Sequence, residues 1–351
     1  METIVKKIER KALKKEDFTE AVKILRSGGL VAFPTETVYG LGGDALDASA
    51  AEKIYAAKGR PSDNPLIVHI SSKEALSVLA KDIPAAAWEL ADRFWPGPLT
   101  MILKKSSIVP EQTTGGLPTV AIRMPSDPVA RMLIEESGLY LAAPSANASG
   151  RPSTTRAEHV YEDLAGRIGL ILDGGEATIG LESTIVDLSG EKPMILRPGF
   201  LSKEDFLGIL PEMEYDPAVV ARTAQKEIAA KAPGMKYRHY APKGKLVIYE
   251  GEREAVAAAV NRAVEEKTAG GFSCAVLAAQ ESGAAYTCPN VKIVGMRERE
   301  ETIAAHLFDV LRSFDEEGVE FIFSESFSDG HLGEAIMNRL RKAAGYQVVK
   351  V

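Results

Sequence analysis

The chain reads as a two-domain α/β protein: a mixed sheet packed by helices up to about residue 212, then a smaller Rossmann-like α/β unit from about residue 244. Three observations predict this. Short apolar, strand-like runs alternate with helical patterns along most of the sequence. The alternation breaks once, in a stretch punctuated by Pro211, Pro217, Pro233 and Pro242. The length, 351 residues of which 45% are hydrophobic, suffices for a sizeable core in each part.

In the first unit, residues 17–27 place Phe18, Ala21, Val22 and Leu25 on one helical face, and Gly28-Gly29 supplies the stop. Residues 30–33 follow as a short buried strand. Ser49-x-x-Glu52 reads as a capping box opening a helix that runs to Lys58. Residues 66–70 read as a strand, Ser71-x-x-Glu74 as the cap of a further helix, and 84–94 as one more, with Trp88 and Trp95 at core spacing. Strands are expected at 99–103, 120–123, 139–143, 168–172, 183–188 and 194–197. So many short strands between helices and polar loops imply mixed pairing. A helix is expected within 217–231. The segment 232–242 then reads as an extended connector, and its Lys236, Tyr237, Arg238, His239 and Tyr240 suit contact with something anionic or planar. Beyond it, strands at 245–249, 274–278, 291–294 and 319–323 alternate with helices at 252–267, 300–314 and 331–344, the pattern of a small parallel sheet.

A net charge of −7 argues against a protein that coats nucleic acid, while leaving room for a local basic pocket for a phosphorylated small molecule. No run approaches ~18–20 apolar residues, so no membrane span is expected. The first residues mix acids with bases and lack an apolar core, so no signal peptide is expected. Cys274 and Cys288 are not a CxxC pair and make no disulfide scaffold, which points to a reducing, cytoplasmic setting. The chain has no P-loop, no G-x-S-x-G elbow and no H-E-x-x-H, and its five histidines are too scattered for a zinc centre.

The densest polar cluster is Phe33-Pro-Thr-Glu-Thr-Val-Tyr-Gly-Leu-Gly-Gly43. Gly40, Gly42 and Ala45 match G-x-G-x-x-A, but the spacing from the strand is poor for a dinucleotide site, and a turn of positive φ is the plainer reading. Lys58-Gly-Arg-Pro-Ser-Asp-Asn-Pro-Leu66 sits between a helix and a strand. It reads either as a phosphate-binding loop or as a solvated basic helix end. Arg123 and Arg197 end strands, where a charge needs a partner. Ser145, Asn147 and Ser149 lie in a loop of small residues that lets a ligand approach the backbone, or that simply forms Asx and Ser turns. His69, near a strand end, reads more readily as a core residue, and Glu36 as a group that orients its neighbours.

Taken in order, Pro34-Thr-Glu-Thr-Val-Tyr-Gly-Leu41, Lys58-Gly-Arg-Pro61, Asn64-Pro-Leu66, Pro144-Ser-Ala-Asn147, Ser183-Thr184 and Arg197-Pro-Gly199 resemble the YrdC-like family. The connector Pro233-Gly-Met-Lys-Tyr-Arg-His-Tyr-Ala-Pro242 and the tail resemble its longer, two-domain Sua-type branch. The resemblance spans essentially the whole chain. It implies a YrdC-like catalytic domain over 1–212, with a twisted mixed sheet around a deep positive cavity. It implies a linker over 213–243 that reaches across that cavity, and a Sua-type C-terminal domain over 244–351; that this domain gates linker closure is a separate hypothesis, not part of the resemblance. The implied activity is L-threonylcarbamoyladenylate synthesis from L-threonine, bicarbonate or CO2 and ATP, with release of pyrophosphate.

By the same resemblance Thr37, His69, Arg123, Ala143 and Ser183 would hold threonine, with Arg123 as the carboxylate clamp. Lys58, Arg60, Asn64, Thr119, Ser145, Asn147, Ser153 and Arg197 would surround ATP, and Tyr237, His239 and Tyr240 of the linker would close over the triphosphate. Mg2+ would arrive on ATP, without protein ligands or an organic cofactor. The product would pass to the machinery that modifies adenosine 37 of tRNA, with weak RNA contact and no membrane as further expectations. An RNA-binding module is the rival reading; the acidic net charge and the lack of an RNP-like aromatic motif weigh against it. A second rival, a maturation factor for carbamoyl transfer, needs cysteine-rich zinc motifs that two cysteines cannot supply.

Overall fold

Among the described residues, eleven strands form one sheet in the first unit: β1 (Ile4–Lys7), β2 (Val31–Phe33), β3 (Gly40–Asp44), β4 (Ile67–His69), β5 (Leu99–Lys104), β6 (Thr119–Arg123), β7 (Leu141–Ala142), β8 (Leu170–Asp173), β9 (Thr184–Asp187), β10 (Met194–Arg197) and β11 (Glu214–Tyr215). The structure is a computed structural model and describes residues 2–220, 239–327 and 330–351. The spatial order is β1-β8-β2-β3-β7-β4-β6-β5-β9-β10-β11. Pairing is mixed, as expected: β4–β6 and β5–β9 are parallel, whereas β2–β3, β5–β6 and β9–β10 are antiparallel.

The strands read as near-continuous apolar runs because both faces of the sheet are covered. Successive residues of β2 point to opposite sides. Val31 and Phe33 join a core with Leu25, Leu133 and Leu172, and Ala32 joins the larger one with Ile54, Leu90 and Ile122. Helices Thr19–Arg26 and Pro128–Ser137 therefore close one face, and Ala48–Lys58 and Ala85–Phe94 the other.

Two of the expected caps are corrected. Helix Ala48–Lys58 is capped by Asp47, whose carboxylate accepts from Ser49 N at 2.8 Å, so Ser49 and Glu52 form no capping box. The next helix is the short Ala75–Leu79, and it begins after Glu74 rather than at Ser71. The glycine-rich stretch after Tyr39 is strand β3 in extended backbone, not a positive-φ turn. A Cβ on Gly42 would stand 2.7 Å from the Phe33 ring, so the missing side chain lets β2 and β3 close on each other.

In the second unit β12 (Lys245–Glu250), β13 (Cys274–Ala279), β14 (Val291–Gly295), β15 (Phe321–Glu325) and β16 (Val348–Lys350) form an all-parallel sheet in the order β14-β13-β15-β12-β16. Helices Arg253–Ala269, Glu300–Glu316 and Gly333–Ala343 match the expected alternation. Cys274 and Cys288 are free thiols.

The two units share a core, in which Val38, Leu181 and Tyr240 pack with Leu307, Phe308 and Leu311. Two fully buried arginines cross the boundary, Arg312 onto Asp163 at 2.8 Å and Arg339 onto Glu182 at 3.0 Å. A helix begins at Pro217–Val220, as expected, and the remainder of the connector through Arg238, including Tyr237, lies outside the described residues.

Candidate active site

The cavity is assembled by backbone bonds that stitch distant loops together. Tyr39 N donates to Thr154 O at 2.8 Å, Leu41 N to Pro144 O at 2.9 Å and Ala146 N to Tyr39 O at 2.8 Å, which lays residues 34–41 beside 143–147. Ala143 N donates to Ile67 O at 2.9 Å and so ties that loop to β4.

On the adjacent strands β4 and β6, His69 and Arg123 are paired in register, so their side chains leave the same face. Arg123 is buried and held from three directions: Nη2 lies 2.7 Å from Glu36 Oε1, Nη1 donates to Thr37 Oγ1 at 2.8 Å, and Nε donates to Gly97 O at 3.4 Å. Burial raises the Glu36 carboxyl, yet Arg123 outweighs it and leaves Glu36 below the usual carboxylate range, so the pair is ionised. Burial, then the Arg123 charge, pushes His69 down to about 3, and the ring is neutral. Its Nδ1 sits 3.1 Å from Ile67 O, which fixes the proton there and leaves Nε2 as an acceptor.

Ser183 precedes β9, its Oγ 2.7 Å from Thr100 Oγ1. Arg197, at the end of β10, donates from Nε to Ser183 O and from Nη2 to Ser183 Oγ, each at 3.1 Å. The strand-ending arginines thus do have partners, and they converge through Ser183 and its neighbours.

Lys58 closes its helix, and Gly59 follows at φ +62, the left-handed cap that turns the chain back. The buried Lys58 ammonium donates to the carbonyls of Ser145 and, at 2.5 Å, Asn147. Burial and then the nearby Arg60 bring its pKa well below that of a free lysine, and a phosphate set against it favours the ammonium again. Arg60 donates through Nη2 to Pro65 O at 3.0 Å and Asn64 O at 3.2 Å. Burial lowers Arg60 and Arg197 to about 10, which leaves both cationic at neutral pH. Ser145 Oγ donates to Asn147 Oδ1 at 2.5 Å, and Ser153 Oγ donates to Glu182 Oε1 at 2.5 Å.

The end of the connector lies over this assembly. Ala241 N donates to Gly150 O at 2.9 Å, and the Tyr240 ring stacks on Phe308 with centroids 5.2 Å apart. His239 Nε2 is buried with no hydrogen bond among the described residues, and burial with the Arg60 charge lowers this ring to about 3.

A cleft of about 700 Å³, counting its open mouth, is lined by Thr37, Lys58, Arg60, His69, Arg123, Ala143, Ser145, Asn147, Ser153, Ser183, Arg197, His239 and Tyr240. Asn64 and Thr119 do not line it. Asn64 is buried behind Arg60, and Thr119 opens β6 opposite Lys104, about 13 Å along the strand from Arg123. Glu182 and Thr35 also line the cleft, and neither was singled out from the sequence. For Glu182 the available signal was an acidic residue set directly before the Ser183-Thr184 hydroxyl pair. Four cations against one lining carboxylate, with hydroxyl and amide groups between them, suit a polyanion together with a small carboxylate.

Comparison with known proteins agrees with this geometry. The family model described as telomere recombination, covering Sua5, YciO and YrdC proteins, matches residues 23–199, and that of the threonylcarbamoyl-AMP synthase C-terminal domain matches 202–345. A threonylcarbamoyl-AMP synthase of Pyrococcus abyssi is 49% identical over 331 residues, which is 94% of this chain and 95% of that one. A Bacillus subtilis threonylcarbamoyl-AMP synthase is also 49% identical, over 332 residues and 94% of either chain. The crystal structure of P. abyssi Sua5 complexed with L-threonine superposes with a TM-score of 0.94 at 47% identity, over 99% of this chain and 100% of that one. With both family models in tandem and near-complete coverage of these relatives, the chain belongs to the YrdC-like family, in its two-domain Sua5 branch of threonylcarbamoyl-AMP synthases.

Proposed function

We propose that the chain joins L-threonine, bicarbonate or CO2 and ATP into threonylcarbamoyl-AMP and releases pyrophosphate. The observation that carries this reading is the single cleft in which the braced Arg123 fork opens beside a neutral His69 and the same wall carries Lys58, Arg60 and Arg197. The Pyrococcus relative solved with L-threonine supports threonine as the small carboxylate, which this reading sets at Thr37, His69, Arg123, Ala143 and Ser183.

In this reading Arg123 grips the threonine carboxylate. The amine, once its proton is lost, attacks the carbon of CO2 to form a carbamate. A carbamate oxygen then attacks the α-phosphorus, and the bond from that phosphorus to the β-bridging oxygen breaks as pyrophosphate leaves. Such transfers need positioning and charge stabilisation more than a covalent group from the protein. Lys58, Arg60 and Arg197 supply the charge, while Ser145, Asn147 and Ser153 supply positioning for the nucleotide. Asn64 contributes from behind by holding Arg60. His239 and Tyr240, with Tyr237 of the same connector, close over the phosphates.

Magnesium enters as MgATP, the substrate, its remaining positions filled by water as that ion prefers. The product then serves the machinery that acts on adenosine 37 of tRNA, in the cytoplasm; no described helix is long and apolar enough to cross a membrane.

The test is incubation with ATP, bicarbonate and labelled threonine. Threonine-dependent pyrophosphate and a labelled adenylate in the mass spectrum are expected. Pyrophosphate release that ignores threonine would reject the reading.

A further inference from the structure

We infer that Arg339, a residue of the second unit, is a positioning residue for the nucleotide side of the cleft, acting through Glu182 and Ser153; the inference rests on the activity proposed above. Arg339 is 0% exposed although it stands on helix Gly333–Ala343, well outside the YrdC-like sheet. Its guanidinium grips two loops of the first unit at once. Nε donates to Glu182 Oε2 at 3.0 Å and Nη2 to Glu182 O at 3.3 Å, while Nη1 donates to Pro198 O at 2.5 Å, one residue beyond Arg197. The Tyr240 ring lies 6.0 Å from the guanidinium carbon.

Glu182 is the carboxylate in a wall of cations. A mobile carboxylate there would fold onto the nearest cation and cancel charge that a triphosphate needs. Arg339 holds one oxygen, and the other accepts a hydrogen bond from the Ser153 hydroxyl at 2.5 Å. Ser153 is thereby turned so that its lone pairs face the cleft, and Arg197 is anchored through Pro198. The ion pair is charge-assisted and buried, its arginine wholly and its carboxylate up to the cleft wall, and such a pair holds its geometry firmly. Burial raises the Glu182 carboxyl, but Arg339 and then Arg197 outweigh it, so the carboxylate stays ionised in its clamp. The carboxylate clamp of the threonine side, Arg123, has its own brace in Glu36, and Arg339 reaches that side only through Ser183, the residue after Glu182.

The experiment measures KM for ATP and KM for threonine in wild type, R339Q, R339K, E182Q, the R339Q/E182Q double variant and R156Q. R156Q removes a docking contact, Arg156 to Asp309 at 3.2 Å, that does not touch the cleft. R339Q is expected to raise KM for ATP about tenfold or more, with KM for threonine within about twofold. R339K keeps the charge without the fork and is expected to fall between wild type and R339Q. The double variant is expected to be no worse than R339Q, and R156Q to match wild type.

An unchanged KM for ATP in R339Q, or an equal rise for both substrates shared with R156Q, would overturn the inference. If R339Q does not fold, E182Q carries the test, and an unchanged KM for ATP there also overturns it. If wild type releases no threonine-dependent pyrophosphate, the proposed activity falls, and ATP binding by calorimetry decides separately. Binding about tenfold weaker in R339Q supports the positioning role, and equal or absent nucleotide binding overturns it.

Discussion

Arg123 Nη2 lies 2.7 Å from Glu36 Oε1, with the two side chains 4% and 8% exposed, and the second nitrogen of the same guanidinium rests on the Thr37 hydroxyl. An arginine braced in this way is fixed before any substrate arrives. Replacing it by alanine removes the carboxylate fork and strands Glu36 in a buried site. R123A is expected to lose about 3–5 kcal/mol of stability and most of its threonine handling. R123K is expected to recover stability better than threonine affinity, because a point charge cannot replace a bidentate fork. Denaturant unfolding and KM for threonine check both statements. A stable R123A with normal threonine kinetics would remove Arg123 from the site.

Lys58 has a double duty. Its ammonium holds the loop carbonyls of Ser145 and Asn147 and places a positive charge at the cleft wall. K58A is expected to weaken ATP binding roughly 10- to 100-fold, the equivalent of one or two charge-assisted hydrogen bonds, while KM for threonine changes far less. Nucleotide titration by calorimetry reads the first figure, and a threonine series at saturating ATP reads the second.

Two glycines near the cleft are needed for different reasons, and substitution separates them. Gly59 sits at φ +62 with nothing within 4 Å of a built Cβ, so G59A should cost only the left-handed backbone penalty of about 1 kcal/mol, with G59N nearly neutral. Gly42 has ordinary extended backbone, but a Cβ there would meet the Phe33 ring at 2.7 Å, so G42A should cost about 1–3 kcal/mol through overpacking. The diagnostic is the double variant with F33L, which should restore part of the loss in G42A and none in G59A. Thermal unfolding of the four proteins decides.

Much of this was legible in the sequence, because the relevant signals are local. Strand-ending Arg123 and Arg197, the Lys58-Gly-Arg60 turn and the Ser145–Asn147 loop all declare themselves within a few residues, and all line the cleft. What escaped reading depends on partners far along the chain. Strand β3 looks like a loop until Phe33 is seen lying across Gly42. Helix Pro128–Ser137 is the exception: an Asp127 cap followed by Pro128, with Val129, Ala130, Leu133 and Ile134 at helical spacing, is a local signal, and the helix is not among the expected elements. Glu182 acquires its meaning only from Arg339, 157 positions away, and no local pattern encodes that pairing. Asn64 sits inside a recognisable motif, yet its place is behind Arg60 rather than on the cleft wall.

The buried histidine of the site ties stability to pH in a definite direction. His69 is pushed from its ordinary 6.5 to about 3 by burial and by Arg123, so between those values the unfolded chain binds a proton that the folded chain refuses. Stability therefore rises with pH through that window, by at most ~1.4 kcal/mol per pH unit, and this contribution is complete above the unfolded value. Glu36 acts with the same sign in a lower window. Its folded pKa is depressed, so its contribution is present above the ordinary 4.5 and is lost as pH falls through the folded value. His239, also lowered to about 3, adds to the upper window. Wild type is expected to lose roughly 2.5 kcal/mol between about pH 7 and about pH 5.5, half from each ring. H69Q keeps an amide donor for the Ile67 carbonyl, removes one titrating ring, and should lose roughly half as much over the same interval. Urea unfolding at both values measures the difference. A slope in H69Q equal to wild type would show that the folded chain takes up the His69 proton as readily as the unfolded one, and the ring beside Arg123 would then be a cation below its ordinary 6.5 rather than a neutral acceptor.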